Sequence, residues 1–181
     1  MSKSEQLKVL MLDRFYKNFV EHAANKVIEL DAMEEIYTLA TDNSIMLSRT
    51  DKQALIFRSA YTLEYLYFNH HSLFVPFTER FIRDYSLCEN SSAKRHFTKM
   101  MNDILQHNTL TDEQLTTIAE TTANWLIEPK VKVAVKIGAI SILAKLRGQV
   151  GWINEIWNDI EAVMLNEVTP AIEVRFKRGR K

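Results

Sequence analysis

The feature that most constrains this chain is the recurrence of helix-start signals in two interleaved series. Thr50 precedes an apolar segment from Ala54 to Phe68, Asn90-Ser91-Ser92 precedes Ala93 to His107, Glu128 stands before Pro129, and Thr169 before Pro170. These starts lie 40, 38 and 41 residues apart. A second set, Ser72, Thr111 and Gly151, alternates with the first at intervals of 39 and 40 residues. Ser, Thr and Asn begin helices because their side-chain oxygen accepts a bond from a backbone N–H that the first turn leaves without a partner. Proline is tolerated in that turn, where its missing N–H costs least. Two helix series sharing one period predict stacked helical hairpins, since connections of roughly three to six residues make consecutive helices antiparallel neighbours.

The apolar spacing agrees. Ala93, Phe97, Met100, Met101, Ile104 and Leu105 match the 3.6-residue template without a miss. Thr111-Asp112-Glu113-Gln114 is a capping box, opening a helix with Leu115, Ile118, Ala119, Ala123 and Leu126 on one face. Ser72 opens a helix from Leu73 to Leu87 with Pro76 near its first turn, and Gly148 suits the position after a helix end. Gly151 opens a helix with Ile153, Ile156, Trp157, Ile160 and Val163 on its apolar stripe. Near the N-terminus, Leu7 to Val20 reads as one helix, and Asp31-Ala32-Met33-Glu34 caps another reaching Ala40. No segment alternates with period 2. Only 4 Gly and 3 Pro argue against a sandwich or Rossmann-like fold, whose tight turns need both. The chain reads as all-α and as a single helical-repeat domain, 1–181. It has an irregular first repeat or cap at 1–47, repeats at 48–88, 89–127 and 128–167, and a terminal half-repeat with a basic tail at 168–181.

Pro129 with Lys136 and Ala139, and Pro170 with Arg175, place a proline at the opening of a pair's first helix and a basic residue with small apolar ones inside it. Arg58 and Arg95 hold similar places without the proline. In this pattern and in its period the stretch from residue 48 to 181 resembles the HEAT repeats. The resemblance implies a right-handed, armadillo-like α-solenoid of about four antiparallel helix pairs, with first helices convex and second helices concave. An irregular helical bundle is the alternative these helices allow.

Charge is balanced, 23 basic against 23 acidic residues, so no whole-molecule attraction draws the chain to nucleic acid or an anionic membrane. Locally it is segregated. Residues 108–129 carry Asp112, Glu113, Glu120 and Glu128, and residues 149–174 carry Glu155, Asp159, Glu161, Glu167 and Glu173, neither stretch with a Lys or Arg. Between them, Lys130, Lys132, Lys136, Lys145 and Arg147 face no acid. Joined to the resemblance, this predicts an acidic concave ridge and a basic back. The expected partner-binding residues are Glu113, Glu120, Asn124, Glu155, Asn158 and Asp159, with Trp125 and Trp152 as aromatic anchors. The matching partner is a protein or peptide of basic character, and the expected role is a non-enzymatic binding scaffold. A competing class is nucleic-acid binding, because some HEAT-type proteins are DNA glycosylases. The basic tail Arg175, Lys177, Arg178, Arg180 and Lys181 favours that class, while zero net charge and the acidic helices oppose it.

Familiar chemistry is missing. One cysteine, Cys88, rules out an internal disulfide or multi-cysteine zinc site, and beside Phe81, Tyr85 and Leu87 it reads as a small buried hydrophobe. The five histidines form no metal spacing; His70-His71 fall at a helix C-terminus, where they can bond terminal carbonyls. No glycine-rich phosphate loop or G-x-S-x-G elbow occurs. Neither cofactor, metal nor catalytic group is expected. The N-terminus lacks a secretory apolar core, and the run from Val131 to Leu146 is broken by three lysines, so the expected compartment is the cytoplasm.

Overall fold

Every described element is helical, and no strand occurs among the described residues, as the periodicity predicts. The computed structural model describes residues 1–129 and 131–165, with side chains as far as residue 162. The helix expected after Thr169 and the basic tail lie outside these residues. Among them, no helix is long and apolar enough to cross a membrane. The chain divides into two compact units, Met1–Phe97 and Thr98–Lys181.

In the first unit α1 (Lys3–Leu12), α2 (Phe19–Glu29) and α3 (Met33–Thr41) all pack against the long α4 (Arg49–Asn69). Leu7 and Met11, Phe19 and Val27, Ile36 and Leu39, and Leu55 and Leu63 meet there fully or almost fully buried. Burial of each such side chain contributes about 1.5–3 kcal/mol, far more than helix propensity supplies. The single helix expected from Leu7 to Val20 is two. α1 ends at Leu12, and Asn18 takes a left-handed φ of 65°, which asparagine tolerates better than most residues. Arg58 of α4 holds this break: it donates to the Met11 carbonyl at 2.6 Å and to the Asp13 carbonyl, occupying acceptors that the helix end leaves open. Its guanidinium also lies 5.6 and 5.7 Å from the Phe15 and Phe19 rings. Arg58 therefore serves the N-terminal loop.

Two expected helix starts move. α4 is capped by Ser48, whose hydroxyl accepts from the Asp51 N–H at 3.1 Å, so Thr50 lies inside the helix. The helix expected from Leu73 to Leu87 is broken into α5 (His71–Phe74), a 3-10 turn at Val75–Phe77, α6 (Thr78–Asp84) and a second 3-10 turn at Tyr85–Leu87. Pro76 lies in the first of these turns, because a proline inside a continuous α-helix would lose a bond and clash with the carbonyl four residues back. His71 Nδ1 lies 3.2 Å from the Tyr67 carbonyl, the helix-end contact expected for this pair. Tyr67, Phe74, Phe81 and Phe97 then stack edge to face, with centroids 5.0, 5.7 and 5.1 Å apart.

α7 (Ser91–His107) runs from the first unit into the second and is followed by α8 (Asp112–Ile127), α9 (Val133–Leu146) and α10 (Gly151–Leu165). Asn90 Oδ1 caps α7, accepting from Ser92 and Ala93 at 2.9 and 3.0 Å. Thr111 and Gln114 complete the expected capping box of α8. α9 begins behind Lys132, so Pro129 sits in the preceding turn and not at the first helical position. With the starts corrected, α4, α7 and α9 open after Ser48, Asn90 and Lys132, 42 residues apart both times. The register repeats in detail. Lys52, Lys94 and Lys136 are equivalent, Leu55, Phe97 and Ala139 are equivalent and buried, and so are Thr62, Ile104 and Leu146.

α8 packs along α9, and α9 meets α7 at Gly138. A Cβ on Gly138 would stand 2.6 Å from Thr98 Cβ, a close approach only glycine permits. Beside it Asn102 Nδ2 donates to the Gly138 carbonyl at 3.3 Å, and Lys145 Nζ donates to the Asn102 carbonyl at 2.6 Å.

Candidate functional site

The two helices marked as acidic by sequence wall a groove of about 520 Å³ in the second unit. α8 contributes Glu120, Ala123, Asn124, Leu126 and Ile127, and α10 contributes Trp152, Ile156 and Ile160. Helical geometry explains the lining. On α8 the buried face runs through Leu115, Ile118, Ala119, Thr122, Trp125 and Leu126. At 100° per residue, Ala123 and Ile127 fall beside that face, and Glu113, Glu120 and Asn124 fall beyond them. On α10 Ile153, Trp157 and Ile160 are buried, Trp152 and Ile156 flank them half-exposed, and Glu155 and Asp159 lie outermost. Each wall thus passes from core, through an apolar strip, to an acidic rim.

All six expected polar binding residues, Glu113, Glu120, Asn124, Glu155, Asn158 and Asp159, are exposed. Glu120 and Asn124 line the groove directly. Among the described residues no cation pairs with Glu113, Glu120, Glu155 or Asp159. The two tryptophans part company. Trp152 is half-buried in the groove wall, as an anchor would be. Trp125 is 5% exposed and belongs to the core, so it is not a surface anchor. The reason is Thr122, which is fully buried and draws the core face of α8 toward Trp125, leaving Ala123 for the groove. Ile127, 68% exposed, was not anticipated; its signal was the last turn of an apolar strip one residue away from the assumed one.

The basic back does not form on α9. Lys132 is exposed, but Lys136 is buried, Lys145 is bonded to Asn102, and Arg147 lies over the Trp157 ring at 4.6 Å while bonding Asn154 Oδ1 at 3.1 Å. Lys136, Lys145 and Arg147 are thus engaged in packing and hydrogen bonds within the protein. The basic tail, Arg175 to Lys181, lies outside the described residues.

Two polar sites in the first unit have a different character. His96, 2% exposed, is hydrogen-bonded through Nδ1 to the Glu64 carboxyl and stacks on Tyr61 with centroids 4.9 Å apart. The pair is buried and ties α4 to α7. A cavity of about 130 Å³ includes Ile56, Asp84, Cys88, Asn90 and Phe97 in its lining. Cys88 is half-buried there, 3.8 Å from the Asn90 carbonyl, and not the fully enclosed hydrophobe expected. Asp84 accepts from the Tyr37 hydroxyl at 3.0 Å and sits 3.4 Å from Arg80 Nε. Burial, then the Asp84 carboxylate, pushes the Tyr37 phenol far above its ordinary pKa. Among the described residues no group of three or more His, Cys, Asp or Glu side chains is arranged to hold a metal ion.

No family model, no curated protein and no solved structure matches this chain.

Proposed function

We propose that this protein is a non-enzymatic binding module whose α8–α10 groove captures a segment of another protein that is both apolar and basic. The observation that carries this reading is the layered groove: an apolar strip on each wall bordered by carboxylates that no described cation neutralises. Apolar area supplies affinity and the unpaired rim selects positive charge and speeds encounter. The lining offers one carboxylate and one amide and otherwise apolar side chains, a set suited to holding a ligand and lacking a nucleophile with its base. We further propose that the helix pairs stack as a HEAT-type solenoid in the cytoplasm. The repeated 42-residue register and its equivalent buried positions support that architecture, in which second helices line a concave surface.

The test is the pair Glu120→Lys and Asp159→Lys in one chain. Both side chains are exposed, so the double variant keeps its helical circular dichroism and melting temperature. Binding of a lysine-rich amphipathic peptide, present in the natural protein and weakened by salt, is lost. Tight binding of duplex DNA that persists after alanine replacement of Arg175, Lys177, Arg178, Arg180 and Lys181 would instead assign the protein to nucleic-acid work.

A further inference from the structure

We infer that the segment held in the groove is an α-helix, presenting an apolar stripe of two turns flanked on both sides by Lys or Arg. This inference rests on the binding function proposed above and specifies its partner. The first ground is length. On α10 the groove-facing residues Trp152, Ile156 and Ile160 recur every four positions, and on α8 Glu120, Ala123 or Asn124, and Ile127 span seven. At 1.5 Å per residue these strips run about 10–12 Å along their helices. A partner helix projects side chains at i, i+4 and i+7 over the same distance, so three aliphatic side chains can enter together.

The second ground is cross-section. A volume of about 520 Å³ spread over that length holds a row of aliphatic side chains, whereas a whole helix about 10 Å across does not fit. The ligand backbone must therefore ride above the groove and send one face down. An extended strand sends only alternate side chains down and gains its affinity from a sheet edge. Both walls here are helices, whose backbone groups are already paired, and they offer no such edge.

The third ground is the placement of charge. Glu120 borders the α8 side, and helical geometry places Glu155 and Asp159 outside the apolar strip on the α10 side. A helix seated between them has its own flanking positions over both rims. Lysine and arginine suit those positions, because their stems lie along apolar surface while their charged ends reach outward. A stripe with cations on one flank alone would leave the other rim unanswered.

Two synthetic peptides of about fourteen residues, roughly four helical turns, test the inference. They have identical lysine and leucine content. One places leucine at helical spacing between lysines, and the other alternates leucine and lysine. Titrations into the full chain are followed by calorimetry and by acrylamide quenching of tryptophan fluorescence, which reports mainly on half-buried Trp152 because Trp125 and Trp157 are buried. The helical pattern is expected to bind on the order of tenfold more tightly, to gain helical circular dichroism on binding, and to shield Trp152 from acrylamide. Ile127→Ser and Ile156→Ser, at exposed and half-exposed positions, are expected to weaken that peptide without moving the melting temperature. Equal or tighter binding by the alternating peptide would overturn the helical partner while leaving the groove's binding role standing. Failure of both peptides would overturn the role and the helix together, and self-association of the chain through this groove would replace the partner with a second copy.

Discussion

The α3–α6 region of the first unit and the α8–α10 groove of the second differ in how their charges are met. Around α3 and α6 the ions close on one another: Arg80 bonds Glu34 at 2.5 Å, lies 3.4 Å from Asp84, and covers the Tyr37 ring at 4.4 Å. Glu64 is bonded to His96 inside the protein. In the second unit, Lys136 is buried and Lys145 bonds the Asn102 carbonyl, while Glu113, Glu120, Glu155 and Asp159 face solvent, Glu120 beside the apolar side chains of the groove. Net charge is zero in the sequence, and among the described residues these four carboxylates pair with no cation. Satisfied charges hold a structure in place; unsatisfied ones next to an apolar strip are available to a ligand. The comparison is what the proposed binding role of the second unit rests on.

That contrast can be broken most forcefully in the first unit. Phe81 is buried and meets Phe74 and Phe97 edge to face, so Phe81→Ala should lower stability by about 3–5 kcal/mol in urea unfolding. A smaller loss is expected at the α7–α9 contact of the second unit. Gly138→Leu overpacks against Thr98 and should cost about 1–3 kcal/mol, read as a fall in melting temperature. An unchanged melting temperature would show that α9 is not held against α7 as described.

Tyr37→Phe sharpens the comparison through pH. The variant loses the bond to Asp84, worth about 1 kcal/mol, visible in urea unfolding near neutrality. The folded protein holds the phenol above its ordinary value of 10.0, so it keeps a proton that the unfolded chain releases there. Tyr37 therefore contributes its stability below that pH and loses it as pH rises further. The natural protein should lose stability above pH 10.0 more steeply than Tyr37→Phe does. Smallest of all in stability is Ile127→Ser, expected within about 0.5 kcal/mol of the natural protein because its side chain already faces water. Its cost should fall on peptide binding.

Much of this contrast was legible in the residues. The 3.6-residue spacing fixed the helical class, and the capping signals at Asn90 and Thr111 marked helix starts found in the structure. The acids of the acid-only stretches expected at the surface, Glu113, Glu120, Glu155 and Asp159, are exposed. What escaped depended on competition between near-equal signals. Ser48 won the α4 start from Thr50 because Asp51 stands three residues on and bonds the Ser48 hydroxyl at 2.7 Å. Pro76 was compatible with a first turn, but packing of Phe74 and Phe81 needed the chain to turn there. Trp125, expected as a surface anchor, lies instead on the buried face of α8 together with Thr122. The α9 lysines read as a basic face from composition alone; only tertiary structure shows that Lys136 and Lys145 point into the protein.

The most direct test of the binding role proposed for the second unit is a map of where a basic amphipathic helix touches the protein. In a heteronuclear NMR titration of the isotope-labelled full chain with the lysine–leucine helical peptide, the account predicts amide shifts concentrated at residues 113–127 and 152–160, vanishing in Glu120→Lys/Asp159→Lys. Shifts concentrated on α1 to α6, or a peptide that leaves the α8 and α10 amides unmoved, would contradict it.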